Sequence, residues 1–147
     1  MLVTEITQDE MVVDALSKID QIDLSPINKK LMFDAPEIWT AKRIQEAEIT
    51  YRRFLAMHLI YPYEILVPNK ILDRYWHQHI LDTQKYAKDC QKVFGFFLHH
   101  DPYFGIGGDE DRKRNSDAFA KTQQLWNKSF STPLLGPSNP CSSTDCR

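Results

Sequence analysis

The sequence has few cysteines, no excess of one charge and no long hydrophobic run, and these absences exclude several classes of protein. Three cysteines, an odd number, do not make a disulfide framework. The formal net charge is −2, from 18 basic and 20 acidic residues, so no nucleic-acid-binding surface is evident. No apolar stretch approaches the ~20 residues that span a bilayer, and the acidic start MLVTEITQDE predicts no signal peptide. We therefore expect a cytoplasmic protein that binds neither nucleic acid nor membranes.

Two short stretches that might suggest phosphate binding are incomplete. GIGG, at residues 105–108, lacks the Lys and Ser/Thr of a P-loop, and no strand is predicted before it. RKR, at residues 112–114, directly follows DED, so its charge is balanced. We interpret this basic cluster as part of a solvated loop.

The apolar residues are spaced as in helices almost throughout, and no stretch shows the alternation of a half-buried strand. With 42% hydrophobic residues, the 147-residue chain has enough apolar material for one core. We predict an all-α fold, a single compact bundle of about five helices, within a domain covering residues 1–135. The predicted helices cover residues 9–19, a short segment from Ser25, about 38–59, about 70–94, and 117–130. The long helix at 70–94 should pack against the one at 38–59.

Residues 136–147 are rich in Pro, Ser and Thr and have little apolar material to bury. This composition predicts a mobile tail. The tail carries Cys141 and Cys146, whose thiols have three interpretations: groups in an ordinary exposed tail, a reversible disulfide, or part of a segment that another enzyme modifies. The sequence does not choose among them.

Four of the five histidines lie in two short stretches, WHQH and LHH. On a helical wheel His79 falls on the apolar face, whereas His77 lies roughly 160° away and one turn after Asp73. Two histidines separated by one residue cannot both reach one ion from a regular helix. His77 and His79 could both be ligands only if the helix were distorted there or if they served different sites. Asp73 and His77, at i and i+4, are neighbours. We expect His99 and His100 to return toward the WHQH turn.

This concentration of histidines suggests a metal site. Neutral imidazoles and a carboxylate suit a divalent transition metal such as zinc, iron or copper. The candidate ligands are His77, His79 and His100, with Asp73, Asp82 and His99 as alternative ligands or as hydrogen-bond partners of the ligands. An open coordination position would permit catalysis, although the sequence does not show whether the protein is an enzyme.

The competing interpretation is structural. A histidine on an apolar helix face is commonly a hydrogen-bonded core residue, and Asp82 could be a local partner of His79. His58, on the apolar side of its helix, is more simply structural. Cys90 is expected to be a buried, inert thiol.

The stretch LDRYWHQHILDTQKYAKDCQKVFGFFLHHDPYFG resembles the signature of the glycine-rich domain-containing protein-like family, a domain of unknown function. The family pattern D-x-x-W-H-x-H-x-x-D-T, followed by Tyr, Cys, F-G and H-H-x-P, is matched here by residues 73–102. The resemblance extends over about residues 38–130 and implies a short form without the glycine-rich segment. It implies a fold and a site but no known reaction.

An alternative function is a non-enzymatic protein-interaction or carrier module, in which the histidines form a structural network and the thiols of the tail are redox-active or modified. Aromatic side chains in predicted loops would then contact a partner protein: Tyr61, Tyr63, Tyr103 and Phe104. These rings could equally fold back on the core. The sequence leaves the oligomeric state open.

Overall fold

The computed structural model describes residues 6–134, 136 and 138. These residues form helices and contain no strand, which confirms the all-α prediction for the described part of the chain. The six helices are α1 (Gln8–Ile19), α2 (Ser25–Asp34), α3 (Ala41–Ile60), α4 (Lys70–Leu81), α5 (Thr83–Val93) and α6 (Asp109–Phe130). The predicted tail and its Cys141 and Cys146 lie outside the described residues, apart from Gly136 and Ser138.

Helix α3 is the centre of the bundle, because α1, α2 and α4 all pack against it. Its inward face is completely buried at Tyr51, Phe54 and Met57. Side chains from α4 meet this face: the Tyr75 ring lies 4.7 Å from that of Tyr51, and the Trp76 ring lies 5.3 Å from that of Phe54. The expected packing of the fourth helix on the third is therefore present.

The prediction of one continuous helix over residues 70–94 is wrong, because the helix breaks at Asp82. This residue has φ −81° and ψ 74°, outside the helical region, and its carboxylate accepts a hydrogen bond from the Lys85 N–H at 3.4 Å. An aspartate that bonds to the backbone ahead of it starts a new helix instead of continuing the old one. The spacing of the apolar residues does not reveal this interruption. Because the break divides the predicted helix into α4 and α5, the described residues form six helices and not five.

Helix α6 begins earlier in the sequence than predicted. The segment DEDRKRN is helical, so the predicted loop at residues 112–114 is wrong, although the three basic side chains are exposed. Asp109, Glu110 and Asp111 lie in the first turn, where negative charge favours a helix N-terminus. Asp111 also accepts the backbone N–H groups of Gly105 and Gly107, at 2.6 and 3.0 Å.

The segment after α6 turns back onto the bundle. Leu134 is buried, and its carbonyl accepts a hydrogen bond from the Gln123 side chain at 3.1 Å. None of the helices within the described residues is both long and apolar enough to cross a membrane.

Candidate metal centre

The buried carboxylate of Asp73 lies between two imidazoles. Asp73 is 1% exposed. Its Oδ1 is 2.5 Å from His100 Nε2, and its Oδ2 is 3.5 Å from His77 Nδ1. The two imidazole rings are themselves 4.7 Å apart between centroids. We call Asp73, His77 and His100 the carboxylate–histidine cluster.

Two of its members are placed by local helix geometry. Asp73 and His77 are four residues apart on α4, so their side chains lie one above the other on the same face. The helix begins one turn before Asp73, where the Asn69 side chain accepts the Leu72 N–H at 2.8 Å. This capping bond fixes the first turn that carries Asp73.

The third member comes from the loop after α5, and a buried hydrogen-bond chain holds that loop in place. Trp76 Nε1 donates to the Tyr86 hydroxyl at 2.9 Å, and the Tyr86 hydroxyl donates to the Leu98 carbonyl at 2.5 Å. His100 follows two residues later, with its ring 4.4 Å from that of Trp76. The loop therefore returns to α4, as the paired histidine stretches suggested.

His77 Nδ1 is a buried nitrogen atom without a hydrogen-bond partner. Burial lowers the pKa of His77, and although the charge of Asp73 raises it and His100 lowers it further, the net shift is downward. The imidazole is therefore neutral at neutral pH. Because an ionised carboxylate can only accept hydrogen bonds, His100 Nε2–H donates one to Asp73 Oδ1.

The cluster has the donor set of a transition-metal site. One ligand atom from each of Asp73, His77 and His100 lies within 4.8 Å of the other two. Two imidazole nitrogens and one carboxylate oxygen are ligands that zinc and iron accept, and three protein ligands leave coordination positions open. An ion would take the place of the proton between His100 and Asp73 and would satisfy the unpartnered nitrogen of His77.

His79 lies in a different network, as the geometry of residues i and i+2 requires. Its Nε2 donates to the Asp89 carboxylate at 2.8 Å, so its Nδ1 accepts from the Tyr51 hydroxyl at 2.7 Å. Burial lowers the pKa of His79, although Asp89 opposes that shift. Lys85 Nζ also lies 3.2 Å from the same oxygen of Asp89. Both ring nitrogens of His79 are thus occupied by protein groups.

The remaining candidates are also outside the cluster. His99 is exposed, and its ring lies beside Phe97 at 4.9 Å. Asp82 is the exposed residue between α4 and α5. Cys90 is buried, and burial raises the pKa of its thiol, which fits the expected inert cysteine.

A cavity of about 520 Å³ adjoins the cluster and has Asp73 and His100 in its wall. Two other polar residues of the wall are His58, which the sequence predicted to be structural, and Asn115, which no sequence pattern assigned to a site. No spacing pattern connects them with the WHQH stretch, because they reach the cavity from α3 and α6. Its apolar lining is Pro62, Ile65, Leu66, Val67, Pro68, Trp76, Leu98 and Phe104, and its polar lining is His58, Glu64, Asp73, His99, His100, Asp101, Arg114 and Asn115.

Fold and site together define a helical domain with a buried carboxylate–histidine cluster beside a cavity. The family model of the UCP032817-like proteins matches residues 15–132, and the chain belongs to that family. This family is uncharacterised, and the match does not support the glycine-rich domain naming. No curated protein and no solved structure matches the chain.

Proposed function

We propose that this domain binds a divalent transition metal through Asp73, His77 and His100. The observation that carries the proposal is the buried Nδ1 of His77, which has no hydrogen-bond partner and lies 3.5 Å from a buried carboxylate oxygen. Leaving a buried polar atom unpaired costs about 1–3 kcal/mol. A bound metal ion would remove that cost, because the nitrogen would coordinate the ion.

The ligand atoms of the cluster indicate which metals it would bind. Nitrogen and carboxylate ligands suit zinc, iron or copper, and no described cysteine belongs to the cluster. Since two of the three ligands also line the cavity, a coordination position of the ion would face it. A metal with an open position acts as a Lewis acid or activates water. We therefore propose a metal-dependent enzyme, of unknown reaction, as the fuller form of this function.

Metal content provides the test. Protein prepared without an affinity tag should contain or take up about one zinc, iron or copper ion, measured by elemental analysis and by calorimetric titration of the metal-free protein. His77→Ala and Asp73→Asn should each weaken zinc binding by more than about tenfold. His99→Ala is the matched control, because His99 adjoins His100 but is exposed. Equal zinc binding by His77→Ala and His99→Ala would refute the proposal.

Stability separates a metal ligand from a packing residue. Zinc at about one hundred times its Kd should raise the free energy of unfolding of the wild type by about 2.7 kcal/mol. His77→Ala should remove that increment. In the metal-free state the same variant should lose little stability, because Nδ1 makes no hydrogen bond that the substitution could remove. A large loss without metal and an unchanged zinc increment would identify His77 as structural.

A second candidate function is the protein-interaction module, favoured by two exposed aromatic rings. Tyr63 and Tyr103 are 99% and 72% exposed, respectively. By contrast, the Tyr61 hydroxyl is bonded to Ser129 at 2.8 Å, and the Phe104 ring lies under the Arg114 guanidinium at 5.4 Å. Only the first pair is available to a partner protein. Replacing both exposed tyrosines with serine should abolish photo-crosslinking of the domain to a partner protein while leaving metal binding unchanged.

The glycine-rich domain-containing protein-like naming and a cytoplasmic location are further parts of the proposal. The first is supported by the WHQH and HH-x-P stretches, which include His77 and His100, and by Asp73, the first residue of the same pattern.

A further inference from the structure

Asn115 is a buried polar side chain in the cavity wall whose Nδ2 has no hydrogen-bond partner. The residue is 3% exposed and lies on α6, on the wall formed by that helix. Burying an amide donor without an acceptor is costly, and native proteins seldom leave one unpaired. Asn115 therefore offers an N–H donor to an acceptor atom inside the cavity.

The charges around the cavity argue against an anionic ligand. Its wall contains the carboxylates of Glu64, Asp73 and Asp101 but only one guanidinium, that of Arg114. The charge of Arg114 is already engaged, since its Nη2 lies 2.6 Å from the Asp111 carboxylate. Like charges repel, so in the metal-free protein a carboxylate or phosphate has no free cation to meet here.

His58 adds a neutral acceptor to the same wall. Its Nδ1 donates to the Phe54 carbonyl at 2.9 Å, which leaves the lone pair on Nε2. Burial lowers the pKa of this imidazole to about 4, so the ring is uncharged at neutral pH. The wall therefore presents one donor amide and one neutral imidazole among apolar side chains.

The remaining lining sets the body of the ligand. Trp76, Leu98 and Phe104 contribute apolar surface, as do Ile65 and Leu66. A volume of about 520 Å³ falls in the range that holds a small organic molecule. Apolar walls with a few directed polar groups are typical of such sites.

We propose that the cavity binds a small neutral molecule with an apolar body and a carbonyl oxygen, and that Asn115 Nδ2 donates a hydrogen bond to this oxygen. This inference deepens the proposed function. It rests on that function only in placing a metal ion beside the ligand. An amide, an ester or a ketone has the required chemistry. Asp73 and His100, where the metal is proposed, lie in the wall of the same cavity.

Three probes with the same ring separate the requirements: benzamide supplies a neutral carbonyl, benzoate a charged one, and toluene none. Each is titrated into the metal-free protein and into the zinc-loaded protein, with the side-chain amide resonance of Asn115 followed by NMR. In the metal-free protein benzamide should shift that resonance and bind about tenfold more tightly than either other probe, as expected when a buried donor gains its acceptor. Equal binding of toluene, or tighter binding of benzoate there, would overturn the proposal.

Asn115→Leu keeps the approximate volume of the side chain and removes the donor. Its affinity for benzamide should fall about tenfold, to that of toluene, while the variant unfolds at the same or a higher temperature because the unpaired amide of residue 115 has been removed. Asn127→Leu is the matched control, an exposed asparagine of the same helix, and should bind benzamide as the wild type does. Unchanged benzamide binding in Asn115→Leu would refute the role of Asn115.

The two proposals can fail separately. If zinc does not bind but benzamide binds the metal-free protein through Asn115, the ligand pocket stands and the metal centre falls. If zinc binds through His77 but benzamide shifts no resonance of Asn115 in either form, the metal centre stands and the pocket inference is wrong.

Discussion

Replacing His58 with phenylalanine should remove part of the acid sensitivity of the folded protein. The ring of His58 lies 4.8 Å from that of Phe54, 6.0 Å from Trp76 and 6.4 Å from Phe94, so phenylalanine can keep the aromatic packing. Burial lowers the pKa of His58 from 6.5 to about 4, and its backbone hydrogen bond offsets only part of that effect.

The direction of the pH effect follows from the two pKa values. Above pH 6.5 His58 is neutral in the folded and unfolded protein and makes no contribution to pH dependence. Below that, the unfolded chain binds a proton that the folded protein does not bind until about pH 4, so the free energy of unfolding falls as the pH falls. The difference amounts to roughly 3 kcal/mol in full, of which roughly 2 kcal/mol is lost by pH 5.

Urea unfolding of metal-free protein, followed by tryptophan fluorescence at pH 7.5 and pH 5, measures this loss. The wild type should lose roughly 2 kcal/mol more than His58→Phe over this interval. His99→Ala, which removes an exposed imidazole, should follow the wild type. The reasoning is refuted if wild type and His58→Phe lose the same amount, because the imidazole of His58 would then titrate normally.

Three further substitutions test the network around α4 and α5. His79→Leu should lower the free energy of unfolding by about 3 kcal/mol, because the hydroxyl of Tyr51 and the carboxylate of Asp89 both lose a buried partner. Adding Tyr51→Phe to this variant should recover about 1 kcal/mol. Strictly additive losses of stability in urea unfolding would contradict the hydrogen-bonded chain. Asp82→Ala should cost about 1 kcal/mol, whereas Asp82→Asn, which can still cap α5, should cost almost nothing; equal losses would exclude the cap. Gly95→Ala should lower the free energy of unfolding by about 1 kcal/mol through the positive φ of 78° alone, since no atom lies within 4 Å of the added methyl. An unchanged midpoint of urea unfolding would show that the backbone relaxes there.

Local geometry made part of the candidate site predictable. Asp73 and His77 are one turn apart on a helix that Asn69 caps, so their proximity follows from the 3.6-residue period alone. The same period separates His77 from His79. The choice of ligands could not be completed in this way, because the periodicity does not reveal whether the interior holds partners for His79.

One of those partners, Asp89, reaches His79 because of the break at Asp82, whereas Tyr51 reaches it from α3. His79 and Asp89 are ten residues apart, which on a continuous helix would separate them by about 15 Å along the axis. The bend at Asp82 turns α5 back, and the two side chains meet at 2.8 Å. The sequence contained the signal, an aspartate that is a good helix N-cap, but the uninterrupted apolar spacing concealed it.

The sequence by itself determined the helical class and the pairing of Asp73 with His77, because these depend on residues within one or two turns of each other. Only the tertiary structure decided that His100 reaches Asp73, that His79 is satisfied elsewhere, and that Asn115 lies in the cavity wall. These contacts join residues that are distant in sequence, and their geometry depends on how the helices pack and where the loops return. No local periodicity encodes that choice.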